Sequence, residues 1–167
     1  VSSIFSRLVK EIKIPIHGHF HNDFGLATAN ALQAVQSGAT CVDVTVNGLG
    51  ERCGISSLAE VTTSLDELFH AKNSWNFMVL NDISSYVEKI SNITKNDIRP
   101  ITGKNAYTHN AGLHVSSVIK DSSLYEPTDP RKFNRKRHHY LDKFSGKDAL
   151  DYRLKKLNND LGEEELC

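Results

Sequence analysis

Three histidines within five residues are the most distinctive chemical feature of the sequence. His17, His19 and His21 come directly after the apolar start Ile-Pro-Ile at residues 14–16. Because alternate residues of a strand point to the same face, we expect the three imidazoles to lie on one side. Neutral imidazole is the commonest protein ligand for divalent metal ions. The spacing therefore favours a metal site, and a pair of hydrogen-bonded histidines at a strand end is the alternative.

A second polar segment, Thr-Val-Asn-Gly-Leu-Gly-Glu-Arg, begins at Thr45, 24 residues after His21. Valines at 42, 44 and 46 alternate with polar residues at 43, 45 and 47, which predicts a strand over residues 41–46. The apolar start and the histidines predict an earlier strand over residues 14–20. A right-handed connection through a short helix would make the two strands parallel neighbours, with His19 and His21 on the side facing Thr45.

Helices are expected to position these two strands. Apolar residues at helical spacing predict one helix over residues 26–35, with Asn22 and Asp23 as caps for a start near Phe24. A second helix should start at one of the serines at 56 and 57. Four of its residues form one apolar stripe: Leu58, Val61, Leu65 and Leu68. Alternating helices and strands indicate a parallel sheet, which two strands cannot form stably alone, so we expect them to belong to a barrel or a doubly wound sheet.

The second half of the chain is interpreted as a linker and a small, mostly α-helical subdomain. After a linker over residues 75–80, Asn81 is expected to cap a helix, and residues 99–112 are polar and glycine-containing, as loops are. A short helix is predicted over residues 113–123 and a last helix after Ser145. The predicted organisation is therefore residues 1–80 with the parallel strands, followed by residues 81–167.

A basic run lies near the end of this subdomain. Six of the eight residues from 131 to 138 are Lys, Arg or His. One interpretation is a solvated surface, and the other is a site for an anionic ligand such as a phosphate or a carboxylate.

The overall composition argues against several classes of function. Lys plus Arg and Asp plus Glu number 20 each, so no bulk charge attracts nucleic acid or a membrane. No apolar run reaches the roughly 18 residues of a membrane helix, and the start does not resemble a signal peptide. Cysteines at 41, 53 and 167 are too few and too scattered for a disulfide framework, which favours a reducing, cytoplasmic location.

Four motifs, in this order, resemble those of the acyl-CoA Claisen-condensing barrel enzymes, which include the 2-isopropylmalate, homocitrate and citramalate synthases. The motifs are HFHNDFGLATAN from His19, TVNGLGERCG from Thr45, HNAGLHV from His109, and Tyr-Glu-Pro from Tyr125 with Ser-Gly-Lys from Ser145. The resemblance covers nearly the whole chain. It is specific for the superfamily and does not single out one member.

The resemblance implies an α/β fold in which residues 14–20 and 41–46 are the seventh and eighth strands of a TIM barrel. Active sites of such barrels lie at the C-terminal ends of the strands. In the family, the two histidines that match His19 and His21 bind a divalent ion, such as Mg²⁺, Mn²⁺ or Zn²⁺, together with an acidic residue of the first strand.

The implied reaction condenses acetyl-CoA with a 2-oxo acid and releases coenzyme A, as a step of amino-acid biosynthesis. Thr45, Asn47 and Glu51 are expected to bind substrate. His114 matches the family histidine implicated in the condensation, which reaches the active site of a partner subunit, and Tyr125 matches a tyrosine that assists it. The resemblance thus implies a homodimer with His114 and Tyr125 as catalytic residues.

Two departures from the family pattern bear on these expectations. Many relatives have a metal-binding Asn after Gly-Glu-Arg-x-Gly, whereas this chain has Ile55, which cannot ligate a metal. Isoleucine at position 55 resembles the lysine-pathway homocitrate synthases, whereas later motifs resemble the leucine-pathway isopropylmalate synthases. The sequence therefore does not identify which 2-oxo acid is the substrate. The strand with the acidic ligand is absent, so we expect a fragment that is inactive alone. The alternatives are a non-catalytic metal- or anion-binding fragment and a same-barrel lyase or aldolase.

Overall fold

The computed structural model describes residues 1–109, 112–139 and 154. Within these residues the chain alternates helices with very short strands, and single-turn 3-10 helices connect several of them. In chain order the elements are α1 (Ser2–Glu11), β1 (His17–Gly18), α2 (Ala27–Gln36), β2 (Cys41–Val42), α3 (Leu58–Glu67), α4 (Leu80–Ser91), β3 (Thr108–His109), α5 (Gly112–Lys120) and β4 (His138–His139).

The first half is built around a pair of parallel strands. β1 and β2 pair in parallel, with His17 opposite Cys41, which confirms the predicted arrangement. The regular ladder is much shorter than the strands predicted over residues 14–20 and 41–46. It stops early because residues 54–57 take over the pairing at the strand ends.

Helices α2 and α3 cover one face of this strand pair. The buried cluster between them contains Ala31, Val61 and Leu65, with Phe20, Val42 and Val44 packed against it. The predicted apolar stripe of α3 is therefore confirmed at Val61 and Leu65. Leu68 departs from it, because it follows the last helical residue and is 67% exposed.

Helix α2 begins at Ala27, later than the predicted start near Phe24. The delay has a local cause, since the Gly25 amide donates a hydrogen bond to the Asn22 carbonyl at 2.9 Å and so closes a turn first. The Asn22 side chain still serves the helix, because its Oδ1 accepts a hydrogen bond from the Ala27 amide at 3.2 Å.

Helix α4 begins at Leu80, so Asn81 lies inside the helix and is not its cap, contrary to prediction. The capping role falls to Asn76, whose Oδ1 accepts a hydrogen bond from the Met78 amide at 3.1 Å. That cap starts a 3-10 turn, Phe77–Val79, which leads directly into the helix.

A second apolar cluster joins the two halves of the chain. Its buried members are Ala59, Phe77, Leu80, Tyr107 and Phe133. The Phe133 side chain is completely buried, and its ring centroid lies 6.1 Å from that of Phe77 and 6.2 Å from that of Tyr107. Residues before and after the predicted boundary at residue 80 therefore share one core.

Lys132 adds an electrostatic contact beside this cluster. Its ammonium group donates hydrogen bonds to the carboxylates of Asp66 and Glu67 and lies 4.5 Å from the centre of the Phe77 ring. The hydrogen bond from Lys132, together with one from Asn73, lowers the pKa of Asp66. The segment after α5 is thereby attached to the end of α3.

The predicted loop over residues 99–112 contains a strand. β3 pairs in parallel with β4, with Thr108 opposite His138, and the His138 amide donates to the Tyr107 carbonyl at 3.0 Å. Two-residue strands carry no alternating pattern, so the sequence contains no signal for this pairing.

The helix predicted over residues 113–123 is observed as α5, which ends at Lys120. It ends early because the Asp121 side chain accepts a hydrogen bond from the Ser123 amide and starts a separate 3-10 turn. The helix predicted after Ser145 lies outside the described residues, apart from Leu154.

Two further observations concern the cysteines and the helices of the described residues. Cys41 and Cys53 are exposed free thiols. None of the helices there is long and apolar enough to cross a membrane. Cys167 lies outside the described residues.

The loop from Gly48 to Gly54 folds back tightly on itself. Gly54 has a φ of +81°, and a Cβ at this position would lie 1.9 Å from the Gly48 carbonyl oxygen. The Ile55 amide donates a hydrogen bond to that same oxygen at 3.1 Å. Glycine is therefore required at position 54 both by the backbone conformation and by the lack of space.

Gly25 offers a matched comparison, because its φ is +73° but nothing lies within 4 Å of the Cβ position. We expect Gly25→Ala to lower the free energy of unfolding by about 1–2 kcal/mol, the cost of a left-handed alanine. Gly54→Ala should cost a further 1–3 kcal/mol or so, since the clash must also displace the Gly48 carbonyl. Urea denaturation of the two variants measures the difference, and equal losses would contradict this account of the loop.

Candidate functional site

Three segments of the chain meet at the ends of β1 and β2. Ile55 pairs antiparallel with His21, and Ser57 pairs in parallel with Thr45. Residues 54–57 thus run between the histidine segment and the end of the second strand. The two segments that the sequence singles out for chemistry are therefore joined by direct backbone pairing.

The three histidines lie on one side of the strand end, as predicted. His19 Nε2 is 3.1 Å from His21 Nε2, and the two ring centroids are 4.9 Å apart. His17 and His19 both contact the carboxylate of Asp43. The side chains of His17 and His19 are about half exposed, at 55% and 51%, so the cluster is open to solvent.

Asp43 organises two of these histidines. Its Oδ1 lies 2.9 Å from His17 Nε2, and its Oδ2 lies 2.7 Å from His19 Nδ1. The hydrogen bond from His19 lowers the pKa of the Asp43 carboxyl, so the carboxylate acts as the acceptor. With the hydrogen on Nδ1, neutral His19 keeps a lone pair on Nε2, which faces His21. Asp43 lies on the predicted polar face of the second strand, and the sequence alone indicates no role for it.

The two facing nitrogens fit a shared metal ion. Metal–nitrogen bonds of about 2.0–2.1 Å at tetrahedral to octahedral angles place two ligand nitrogens roughly 2.9–3.4 Å apart. The observed separation of 3.1 Å falls in that range, and it is also a hydrogen-bond distance, so the alternative of a hydrogen-bonded histidine pair has the same geometry here. In addition, the Asp43 carboxylate contacts Nδ1 of His19, the ring nitrogen that does not face His21. Metal-binding histidines typically have such a carboxylate partner.

His19 and His21 would supply only part of such a site. Among the described residues no group of three or more His, Cys, Asp or Glu side chains could hold a metal ion. The Nδ1 atom of His21 is buried and has no hydrogen-bond partner in that part of the chain. Further ligands and a partner for His21 would have to come from other residues.

The three predicted substrate-binding residues occupy different environments. The Thr45 hydroxyl donates a hydrogen bond to the Leu49 carbonyl at 2.6 Å, and Glu51 is exposed. Asn47 is buried with a φ of 58°, and its amide exchanges two hydrogen bonds with Ser84, of 2.9 and 2.6 Å. The Asn47 amide is therefore engaged with α4. Substrate binding by these residues stays a prediction.

Arg52 attaches the glycine-rich loop to the histidine segment. Its guanidinium donates two hydrogen bonds to the Asp23 carboxylate, at 2.8 and 3.0 Å. This pairing lowers the pKa of Asp23 and raises that of Arg52. The loop after the second strand is thus held against Asp23, which closely follows the histidine segment.

His114 and Tyr125, the predicted catalytic pair, lie against each other. Their ring centroids are 4.6 Å apart with an interplanar angle of 38°, and both side chains are exposed. In the described part of the chain no hydrogen bond or ion pair connects either residue to His19 or His21. The predicted metal and catalytic residues therefore form two separate groups.

A buried charge cluster supports the turn that carries Tyr125. The carboxylate of the next residue, Glu126, lies 3.1 Å from His109 Nε2 and accepts a hydrogen bond from Arg137 Nε at 2.6 Å. A second Arg137 nitrogen donates to the Ser122 hydroxyl at 3.1 Å. The Glu126 side chain is only 5% exposed. The sequence contains one signal for this cluster, the position of Glu126 inside the Tyr-Glu-Pro motif, and that signal alone does not predict the contacts.

The basic run over residues 131–138 is used largely within the chain. Its cations contact carboxylates or carbonyl groups: Arg131 with Asp129, Lys132 with Asp66 and Glu67, Arg135 with the carbonyls of Ile101, Gly103 and Lys104, and Arg137 with Glu126. The Arg131 side chain is 82% exposed, so the solvated-surface interpretation holds for this residue. Lys132, Arg135 and Arg137 are partly buried and bound within the chain, so neither a solvated surface nor an open anion site describes these three.

The histidine geometry generates a prediction about metal affinity. In the full-length protein, His19→Ala and His21→Ala should each weaken binding of Mn²⁺ or Zn²⁺ by more than about tenfold, which corresponds to roughly 1.4 kcal/mol. His17→Ala should have a much smaller effect, because its contact is to Asp43 and not to the facing nitrogens. Calorimetric titration measures the three affinities, and equal losses would show that the ligand pair is wrong.

A second prediction concerns Asp43. Replacing it with Ala removes the acceptor that holds the His19 ring, so metal affinity should fall by about 10–100-fold, the usual range for such a supporting group. The free protein supplies an independent readout, because ¹⁵N NMR should show His19 changing from the Nδ1–H tautomer to a mixture. Glu11→Gln, on exposed α1, is the control. An unchanged tautomer in Asp43→Ala would refute the role.

Similarity to known proteins extends over nearly the whole chain. The chain is 47% identical to a homocitrate synthase of Pyrococcus horikoshii over 156 residues, which make up 92% of this chain and 43% of that protein. A 2-isopropylmalate synthase and an (R)-citramalate synthase of Methanocaldococcus jannaschii are 40% and 37% identical over 96% and 98% of the chain, corresponding to 31% and 33% of those proteins. The chain thus spans less than half the length of these relatives.

Two family models match successive parts of the chain. The model described as HMGL-like matches residues 1–87, which contain the histidine segment and the glycine-rich loop. The model described as homocitrate synthase post-HMGL domain-like matches residues 101–167, which contain His114 and Tyr125. The HMGL-like fold is a TIM barrel, and helices around a small parallel sheet are what part of such a barrel would contain. Because the first match covers more than half of the 167 residues, the chain belongs to the HMGL-like family.

Proposed function

We propose that the full-length protein condenses acetyl-CoA with a 2-oxo acid and releases coenzyme A, in the leucine or lysine branch of amino-acid biosynthesis in the cytoplasm. In this proposal the chain supplies the seventh and eighth barrel strands and the helical subdomain. The observation that carries it is the pair of facing His19 and His21 nitrogens, 3.1 Å apart at the ends of two parallel strands. The names of the three relatives support the same reaction class.

His19 and His21 would hold a divalent ion, Mg²⁺, Mn²⁺ or Zn²⁺, through their Nε2 atoms. When bound, such an ion polarises the ketone of the 2-oxo acid toward attack by a carbon nucleophile. Asp43 keeps the His19 ring in one orientation and one tautomer, so the site need not reorganise. Ile55 contributes no ligand, and its backbone pairing with His21 instead fixes the position of that histidine.

The end of the second strand is proposed to bind the 2-oxo acid. Glu51 is exposed and Thr45 pairs with Ser57 at the strand ends, and both observations support a role in substrate binding. Asn47 contributes by orienting the loop, because its amide is held by Ser84.

His114 is proposed to take a proton from the acetyl methyl group, and the resulting carbon nucleophile attacks the ketone carbon, whose oxygen takes up a proton. Water then hydrolyses the thioester of the adduct, which releases coenzyme A. Imidazole has an ordinary pKa of about 6.5, close to working pH, which suits a general base. Tyr125 packs on the His114 ring and restricts its orientation. Because this pair is exposed and has no contact with His19 or His21 in the described residues, we place it in the active site of a partner subunit of a homodimer.

The direct test is a coenzyme A release assay on the full-length protein with pyruvate, 2-oxoisovalerate, 2-oxoglutarate and oxaloacetate. Thiol release that depends on acetyl-CoA and on one of these acids is the expected result, and the preferred acid identifies the pathway. A protein that releases no thiol with any of them, yet cleaves a 3-hydroxyacyl-CoA, would be a lyase on the same barrel.

The catalytic role of His114 makes a quantitative prediction. His114→Ala should lower kcat by about 10²–10⁴, the usual contribution of a general base, while the affinity for metal stays unchanged. Tyr125→Phe keeps the ring contact and removes only the hydroxyl, so it separates packing from proton transfer. Tyr86→Phe, on exposed α4, is the control. If activity in His114→Ala falls only as far as the folded fraction does, the residue is structural.

The placement of His114 across a subunit interface makes a separate prediction. Mixing His114→Ala subunits with His21→Ala subunits should restore part of the activity, because each hybrid dimer contains one site with both intact histidines. Subunit exchange is verified by mass spectrometry of the dimers. Hybrid dimers that form but stay inactive would remove the cross-subunit role.

A further inference from the structure

A cavity of about 430 Å³ lies between the glycine-rich loop and the segment that follows α4. One wall consists of residues 47–50 and 52–54, and the other of residues 93–96 together with Arg99, and we call this cavity the Arg99 pocket. Three cationic side chains line it, and none of its lining residues is Asp or Glu. Its charge is therefore of one sign.

Two of the three cations are already compensated. Arg52 donates two hydrogen bonds to Asp23, at 2.8 and 3.0 Å. Lys95 Nζ lies 3.7 Å from Glu88 and donates to the hydroxyls of Ser84 and Ser85, both at 3.2 Å. These contacts hold both cations in place at the edge of the cavity.

Arg99 differs from its two neighbours. Its guanidinium makes no hydrogen bond or ion pair with any described residue, and its Nη1 atom is buried. A buried N–H without an acceptor loses its hydration and gains nothing in return, and a charged one loses more. Such a group indicates an acceptor that completes it.

Gly48 lies beside this guanidinium. A Cβ at position 48 would lie 3.4 Å from Arg99 Nη1 and 3.6 Å from Nη2, which are ordinary contact distances, so the guanidinium packs against the glycine-rich loop. The glycine also has a φ of +61°, which the tight loop requires. The loop and the Arg99 guanidinium are thus in contact, and Arg99 is one of the residues that line the cavity.

We propose that the Arg99 pocket binds the oxoanion group, phosphate or carboxylate, of a small ligand, with Arg99 as the principal contact and Lys95 as a supporting charge. The planar guanidinium matches the two oxygens of such groups, and a cavity without carboxylates does not repel them. The pocket shares Asn47 and the glycine-rich loop with the residues proposed to bind the 2-oxo acid, but anion binding here requires neither a metal nor acetyl-CoA and can be measured without the condensation.

The test uses the full-length protein, freed of metal with a chelator and held at constant ionic strength. Inorganic phosphate and succinate are titrated separately by calorimetry. The anion that binds shows whether the pocket accepts a phosphate or a carboxylate group. Arg99→Met should weaken binding by about tenfold or more, as expected for loss of a charged hydrogen-bonding group, and Lys95→Met by less. Arg7→Met removes an exposed arginine on α1 and should leave binding unchanged.

The proposal is overturned if neither anion binds the unmodified protein, or if Arg7→Met weakens binding as much as Arg99→Met. A third result has the same meaning. If the unmodified protein binds no anion and Arg99→Met lowers thermal stability, the acceptor for Arg99 is a carboxylate elsewhere in the protein, and the proposal is overturned. If Arg99→Met fails to fold, Lys95→Met decides, and unchanged anion affinity in that variant counts against the proposal. None of these measurements involves acetyl-CoA, so their outcome is separate from that of the condensation assay.

Discussion

The hydrogen bond from the Ile55 amide to the Gly48 carbonyl is the contact on which the rest of the site depends. It closes the glycine-rich loop and returns the chain between the two strand ends, where residues 54–57 complete a pairing that β1 and β2 begin. Helix α3 begins directly after residues 54–57, and its Val61 and Leu65 side chains pack in the cluster beside the strands. Only a glycine at position 54 permits this approach, so one backbone requirement positions the histidines, the loop and the covering helix together.

The two groups of candidate residues are held in different ways. His17 and His19, near the strand ends, are half exposed and are held by the Asp43 carboxylate that they share. His114 and Tyr125 are exposed as well, but the turn beneath them is held by buried Glu126 with two nitrogen donors. Removing one partner of a buried charge pair is strongly destabilising, because the other charge is then left uncompensated. Both groups therefore depend on charged residues that do not themselves perform the proposed chemistry.

Much of the first half could be predicted because its elements are long or periodic. Helices α2 and α3, the parallel pairing and the common side of the three histidines all follow from spacing. The role of Asp43 could not be predicted, since alternation shows only which face it is on. The contact of Asn47 with Ser84 joins residues 37 positions apart, and nothing local indicates it. The contacts of Lys132, Arg135 and Arg137 could not be predicted for the same reason, because their partners are distant in sequence or are backbone carbonyls.

Lys132 and Phe133 have a consequence for how such proteins diverge. Lys132 is held by two carboxylates at the end of α3, and the adjacent Phe133 ring fills a core made by residues from both matched regions. The two regions are therefore not freely interchangeable modules. A recombination event that paired this post-barrel segment with the barrel of a distant relative would retain its fit only if acidic residues at 66 and 67 and an aromatic residue at 77 came with it. Compatible ancestry at these positions is thus a physical condition for a functional chimera.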